Sequence, residues 1–276
     1  MTRPERAFTG SLPEVYDELL VPVLFAPYAA VLGQLVADLV PGRVLEVAAG
    51  SGALTRELVD RLPEAVVTAT DLSPAMLDRA ATRRGLDRVR WQQADAQDLP
   101  FPDGSQDVWA CQFGLMFVPD RQRALREAHR VLSPGGHLVA ATWAGLADNG
   151  FADVLDRALR AASPADPPTF VRDVPHGYAD PDRVRADLLA AGFGDVDVRE
   201  VVLESRAPSA RAVATAFLAG TPAGNPARAG GAEVFARTVD DVTAALAARY
   251  GRGPVTAPMA ALVVTATRAA ATTVPG

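Results

Sequence analysis

The sequence predicts an α/β fold: a doubly wound, mostly parallel sheet with helices on both faces. Three observations predict it. Short runs of strand character alternate with segments of helical spacing through the first half of the chain, the pattern of repeated βα units. The first of those runs, residues 44–48, is short and apolar, as expected of a strand buried on both faces. The 276 residues, 49% of them hydrophobic and 22% charged, suffice for one large core or for a core with a smaller cap.

The elements follow in order. Residues 1–13 are polar, carry Pro4, Gly10 and Pro13, and read as a loose arm. Residues 14–39 read as helix with a break at Pro22 and Pro27. Tyr28, Val31, Leu32, Leu35, Val36 and Leu39 form its inner face, and Pro41-Gly42 ends it. A strand over 44–48 leads to a helix over 54–62, and a second strand covers 66–70. Ser73-Pro74 reads as a cap and first-turn pair for a helix carrying Met76, Leu77 and Ala80. Strands are expected over 89–93 and 107–111. The helix over 120–132 turns Ala124, Leu125, Ala128, Val131 and Leu132 inward, and Pro134-Gly135-Gly136 leads into a strand over 138–143.

The second half is less regular. Helices are expected over 149–162, from Asp180-Pro181 to Gly192, over 208–219 and over 232–250. Strands are expected over 196–203 and 260–267. Between them, 163–180 holds Pro164, Pro167, Pro168 and Pro175 and reads as an irregular loop, as does the Gly/Pro/Ala-rich stretch 220–231. The sheet resumes after each interruption, so residues 1–276 read as a single domain. Its parts are a helical cap over 1–40, a core over 41–144, and insertions over 145–231 interleaved with the rest of the sheet.

Bulk charge narrows the partners. The net charge is −6, and lysine is absent, so all 27 basic residues are arginine. A nucleic-acid binder needs a basic face for phosphate contacts. The densest arginine clusters, Arg83-Arg84 and 121–130, lie on expected helices among acids and read as solvated faces. Cys111 is the single cysteine, so no intrachain disulfide forms, and its place at the end of a buried strand reads as core. No basic segment precedes an apolar one at the N-terminus, and no window of about 18 residues is uninterruptedly apolar. A cytoplasmic protein without membrane or nucleic-acid partner is the expectation.

The chemistry concentrates in the stretch VLEVAAGSG, residues 44–52. A buried strand ends in a turn of small residues and a helix begins. Gly50 and Gly52 can take conformations closed to other residues and let a ligand approach the backbone, and the helix start offers free N–H groups. The dinucleotide fingerprint G-x-G-x-x-G is not met, because Thr55 stands at the third glycine position. Glu46 points elsewhere: a buried acid repels a pyrophosphate and attracts a cation, such as the amino and sulfonium groups of S-adenosylmethionine. Asp71 ends the second strand, where an acid in a nucleotide-binding α/β fold accepts from ribose hydroxyls; alternatively it is a favourable charge ahead of a helix start. Asp95 after the third strand can accept from an adenine amino group, and the following N–H, at Ala96, can donate to a ring nitrogen. Leu72, Met76 and Ala96 offer apolar contact to the ring, although Met76 fits a plain core position equally well.

With these residues in place, the chain resembles the class I S-adenosylmethionine-dependent methyltransferase family, in particular its small-molecule branch. The resemblance covers about residues 14–144 through VLEVAAGSG, TATDLSPAMLDRA, QADAQDLPFPDGSQDVW and EAHRVLSPGGHLVAATW. It implies a Rossmann-like sheet of seven strands, mostly parallel with an antiparallel last strand, and S-adenosyl-L-methionine as cofactor with S-adenosyl-L-homocysteine as product. By position, Glu46, Ala48, Gly50 and Gly52 would hold the methionine part. Asp71 and Leu72 would hold the ribose, Asp95 and Ala96 the adenine, and Gln112 would face the reactive end. The family usually has glycine where this chain has Ala48.

The acceptor is less legible. Residues 112–115 read Gln-Phe-Gly-Leu, without the Asn/Asp-Pro-Pro-aromatic pattern of enzymes that methylate exocyclic amines. His129 and His137 read as structural, while His176, in the proline-rich loop, is the candidate base. Tyr16, Phe117, Phe170, Tyr178 and Phe217 are candidate acceptor contacts, with 163–180 and 220–231 as a mobile lid. No metal cluster stands out. The expected activity is metal-independent methyl transfer to a small organic acceptor, by a monomer or homodimer. The alternatives are a methyltransferase-like enzyme that cyclises or rearranges its substrate, and a non-catalytic S-adenosylmethionine-binding regulator. A nicotinamide oxidoreductase is disfavoured by Glu46 and Thr55.

Overall fold

The computed structural model describes residues 12–270; most of the arm expected over 1–13 lies outside the described residues. The chain runs α1 (Leu12–Val15), a π-helical stretch (Tyr16–Phe25), α2 (Ala26–Asp38), β1 (Arg43–Val47), α3 (Ala53–Arg61), β2 (Val66–Asp71), α4 (Pro74–Ala81), β3 (Arg90–Gln93) and β4 (Gln106–Gln112). It continues through α5 (Arg121–Val131), β5 (Leu132–Trp143), α6 (Gly150–Ala162), α7 (Phe170–Asp173), α8 (Pro181–Ala190) and β6 (Phe193–Ala207). It closes with α9 (Ala210–Gly220), α10 (Asn225–Ala229), α11 (Ala232–Tyr250) and β7 (Val255–Arg268). These elements gather into two compact units. The sheet unit comprises Tyr28–Thr142, Asp180–Glu200 and the described residues from Leu262 on; the helical unit comprises the described residues up to Pro27, Trp143–Ala179 and Val201–Ala261.

The strand order of the seven-stranded sheet is β3-β2-β1-β4-β5-β7-β6. The pairs β1–β2, β2–β3, β1–β4 and β4–β5 are parallel, and the last strands are antiparallel. The expected fold class is therefore the observed one. Strand order reverses between β1 and β4, and in such sheets the ligand crevice opens at the carboxyl ends flanking that reversal. Leu45 pairs with Trp109 across it, and both are fully buried together with Leu58, Leu125 and Leu132. Burial of such side chains, about 1.5–3 kcal/mol each, is the main favourable contribution.

Several boundaries differ from the sequence reading, each for a physical reason. The helix is not broken at Pro22: helical conformation runs unbroken from residue 12 to 38. The stretch around Pro22 is wound as π-helix, and the Ala26 N–H reaches back to Val21 O. The wider winding accommodates the missing donor at Pro22 and the bulk of its ring. The helix Tyr16–Asp38 is also long and apolar enough to cross a membrane by length and composition, but half of its most apolar window is buried within the protein. β5 begins at Leu132 rather than at 138. Gln106 pairs with Leu132 and Val108 with His137, so residues 133–136 bulge opposite Asp107, and the Pro-Gly-Gly turn lies inside the strand. The two irregular stretches hold helix after all, α7 in 163–180 and α10 in 220–231, both too short for apolar periodicity to reveal.

The helical unit is tied by bonds no periodicity signals. The Asn149 amide donates to Ala260 O at 3.1 Å and accepts from the Ala260 N–H at 3.1 Å, taking the part of a neighbouring strand. Ser205 Oγ donates to Val23 O at 2.8 Å. Arg228 donates to the carbonyls of Leu218, Ala219 and Thr221, and so closes the C-terminus of α9 onto α10.

Candidate active site

The site in the sheet unit is built from the ends of β1, β2 and β4. β1 delivers Glu46 into the interior, 1% exposed. Its Oε2 accepts from Thr55 Oγ1 at 2.6 Å, a bond that fixes the carboxyl against the first turn of α3. Burial pushes the Glu46 carboxyl up to about 8; the Thr55 hydroxyl opposes the shift and nearby Asp71 adds to it. An acid so placed carries its proton near neutral pH and gains from any cation brought beside it.

Past Val47 the chain turns through left-handed conformations, with φ +55° at Ala48, +56° at Gly50 and +83° at Gly52. The alanine at position 48 therefore occupies a conformation that suits glycine and costs an L residue roughly 1–2 kcal/mol. A Cβ on Gly50 would meet nothing within 4 Å, whereas one on Gly52 would press on Ala80 at 3.3 Å. The two glycines thus serve different ends: Gly52 packs the turn onto α4, and Gly50 leaves open space over the turn.

Asp71, at the end of β2, is half-buried. Its Oδ2 accepts from the Gly50 N–H at 2.9 Å and its Oδ1 from the Ser73 N–H at 2.8 Å. Burial pushes its carboxyl up, while the N–H groups of Ser73, Gly50 and Leu72 pull it down. The residue read as a ribose acceptor thereby also clamps the glycine turn to the start of α4. Ser73 does occupy the N-cap of α4 with Pro74 in the first turn, but its hydroxyl makes no capping bond. Leu72 is half-buried beside it, and Met76 is buried in α4.

Asp95 and Ala96 follow β3, both half-buried. Asp95 Oδ1 accepts from the Gln97 N–H at 2.9 Å, and the Gln97 amide donates to both carboxyl oxygens. Gln97 Oε1 in turn accepts from the Asp120 N–H at 3.0 Å. Gln97 and Thr55 are the orienting side chains that the sequence reading missed. An amide or hydroxyl near an acid has no distinctive spacing, although Thr55, in the first turn of the helix after Glu46, was there to be noticed. Gln112 ends β4, half-buried, and Phe117 lies half-buried in a 3₁₀ turn over Leu115–Phe117. Cys111 is buried, and burial pushes its thiol up to about 12, in keeping with its assignment to the core.

The remaining candidates belong to the helical unit. His176 Nδ1 lies 2.8 Å from Ala144 O. A carbonyl only accepts, so Nδ1 carries the hydrogen and Nε2 the lone pair. Burial pushes this imidazole below its ordinary value, and the neutral ring is therefore the form at physiological pH. Its ring centroid is 6.3 Å from that of Trp143, Trp143 is 6.1 Å from Phe25, and Phe25 stacks on Tyr16 at 5.0 Å. Tyr16 and His176 thus end one row of four rings. Tyr178 and Phe217 are buried. Phe170 borders a cavity of about 40 Å³ shared with Asp156, Val171, Pro222, Ala223 and Pro226. The two stretches expected to form a lid meet around it, and Arg172 of α7 pairs with the buried Asp156 of α6. Among the described residues no group of three or more His, Cys, Asp or Glu is placed to hold a metal ion.

A parallel sheet with its order reversed beside a glycine turn, a buried acid at that turn and further acids after the next two strands define the class I methyltransferase architecture. A methyltransferase domain family model matches residues 45–140. The demethylmenaquinone methyltransferase of Deinococcus radiodurans is 32% identical over an alignment of 164 residues that covers 55% of this chain and 68% of that protein. A malonyl-[acyl-carrier protein] O-methyltransferase of Halorhodospira halophila is 37% identical over 177 residues, covering 57% of this chain and 60% of the relative. Among solved structures, a SAM-dependent methyltransferase of Thermotoga maritima aligns with a TM-score of 0.53 at 17% identity, over 93% of this chain and 98% of its own. The [4+2]-cyclase SpnF aligns with a TM-score of 0.54 at 24% identity, over 88% and 82%. The chain belongs to the class I S-adenosylmethionine-dependent methyltransferase family.

Proposed function

We propose that this protein transfers the methyl group of S-adenosylmethionine to a small organic acceptor, without a metal ion, by in-line displacement. The observation that carries the reading is Glu46, a buried acid pushed up to about 8 beneath a left-handed turn whose Gly50 faces open space. That pair suits a cofactor with a cationic methionine end and fits a pyrophosphate poorly. Glu46, Ala48, Gly50 and Gly52 would hold the methionine part, Asp71 and Leu72 the ribose, and Asp95, Ala96 and Met76 the adenine. Gln112 would border the reacting end.

The cofactor supplies a methyl group already activated for displacement. This chain's residues hold the two reactants in line and keep water out, a contribution that can exceed that of acid–base groups. His176 is the proposed proton acceptor: its Nδ1–H is committed to Ala144 O, and its Nε2 lone pair takes the proton that an acceptor hydroxyl or amine loses. Tyr16, Phe117, Phe170, Tyr178 and Phe217 are the proposed acceptor contacts. The cavity beside Phe170, about 40 Å³, is room for little more than a water or two, so 163–180 and 220–231 would part to admit an acceptor there. A small organic acceptor accords with the relative named for demethylmenaquinone; the one named for malonyl-[acyl-carrier protein] adds an acyl group carried on a protein as a second acceptor to screen.

The test is a screen of candidate acceptors with a labelled methyl donor, reading S-adenosylhomocysteine and labelled product together. Product with both signals supports transfer. A transformed acceptor without S-adenosylhomocysteine selects the cyclisation reading instead, and cofactor binding without any turnover selects the regulator.

A further inference from the structure

Two neighbouring strands of the sheet unit end in the same unusual way. After β1, Ala48 stands at φ +55°; after β4, Phe113 stands at φ +55°. Left-handed backbone is uncommon for alanine and an outlier for a ring as bulky as phenylalanine, and it persists only where the surroundings enforce it. Phe113 is enforced on two sides. Its N–H donates to Ala141 O at 2.9 Å, and its ring meets Tyr28 edge-on at 5.4 Å. The next residue explains the pairing of the two turns. A Cβ placed on Gly114 would lie 2.5 Å from the Ala48 Cβ and 2.7 Å from Cys111 Sγ. The Ala48 methyl therefore occupies the space that a side chain at 114 would need, and the backbone after β4 rests directly on it.

We propose that Ala48 is a positioning residue: its methyl couples the turn after β1 to the 113–117 loop, so that cofactor seated on the first is felt by the second. The proposal rests on the reading of the β1 turn as the cofactor site. It assigns to a departure from glycine a role that glycine could not fill, since without the methyl the loop loses its footing. The strain at Ala48 is local, and the benefit appears one strand away, in the segment that follows Gln112 and ends at Phe117.

Hydrogen exchange with saturating S-adenosylhomocysteine tests this, because saturation removes any change in affinity from the readout. In the native protein, amides of 49–53 and of 113–117 should both slow, the latter by roughly tenfold. Ala48→Ser keeps a Cβ and should keep the effect; Ala48→Gly should slow 49–53 alone. Equal slowing of 113–117 in Ala48→Gly, or none in the native protein, overturns the coupling while leaving the cofactor site standing. No slowing of 49–53 overturns the cofactor site and the coupling with it. A ligand-free arm checks the contact itself. Gly114→Ala should lower the melting temperature by roughly 5 °C, and Ala48→Gly should raise it more in the Gly114→Ala background than in the native one, where it only relieves left-handed strain. Equal gains in the two backgrounds show that the two turns are not in contact.

Discussion

The sheet unit and the helical unit hold their candidate residues by opposite means. Around the β1 turn, each polar group is bonded to something close in the fold's local plan: Glu46 to Thr55, Asp71 to Gly50 and Ser73, Asp95 to Gln97. In the helical unit, residues far apart in sequence do the work. Asn149 bonds Ala260 and Ser205 bonds Val23. The difference bears on the proposed division of labour, cofactor on the sheet unit and acceptor on the helical unit. Where the site lies in strand ends and the turns after them, a few short stretches specify it. Where it lies among packed helices, many scattered residues do, and they can drift together.

The sharpest way to break the comparison is to cross the two units' roles. With an acceptor in hand, His176→Ala should lower turnover by about 10²-fold, the low end for a general base, without changing cofactor affinity by calorimetry. Exchange in 163–180 should slow when S-adenosylhomocysteine and acceptor are both present. A fully active His176→Ala enzyme with equal exchange in free and ternary forms would move the acceptor site elsewhere.

Asp71→Ala is the reciprocal case. Loss of ribose bonds should weaken S-adenosylmethionine binding by roughly 1–3 kcal/mol. Because the same carboxylate clamps the Gly50 and Ser73 N–H groups, denaturant melts should also show lost stability. Unchanged affinity in a folded variant would take Asp71 out of the site.

A separate effect concerns pH. The folded state keeps a proton on Glu46 up to about 8, against 4.5 for the ordinary group. The unfolded chain has released that proton in this window, so stability falls as pH rises through it. Glu46→Gln should flatten the fall, and an identical pH profile in the variant would show that Glu46 is not held in this state. The smallest expected effect is none at all: EDTA should leave methyl transfer intact, and loss of activity reversed by added metal would contradict a metal-free reaction.

The strands β1, β2 and β4 were legible because burial on both faces writes itself as short apolar runs, and Pro41-Gly42 and Ser73-Pro74 mark element ends; β3, mostly exposed, was placed by the alternation of strand and helix alone. The β1 turn was legible for the same reason, with Gly50 and Gly52 close together after a buried acid. Pro22 misled, since a proline signals a break unless the helix widens, and nothing local announces that it will. β5 began early because residues 133–136 bulge out of register while the ladder continues. α7 and α10 went unseen because elements of four and five residues have no periodicity to read. The clamp role of Asp71 needed the fold: its partners on either side belong to turns that only the β1–β2 pairing brings together.

Titration calorimetry of S-adenosylmethionine and of NAD, at pH 7 and pH 9 in buffers of different ionisation enthalpy, tests the central claim most directly. A cation beside Glu46 favours its ionised form, so binding near pH 7 should release a proton. Affinity should climb as pH rises towards about 8, the value of the free site, and level off above it. NAD should not bind, and Glu46→Gln should abolish the proton release. Binding of NAD in preference, or S-adenosylmethionine binding that neither releases a proton nor responds to Glu46→Gln, would contradict a site built around a buried acid for a cationic cofactor.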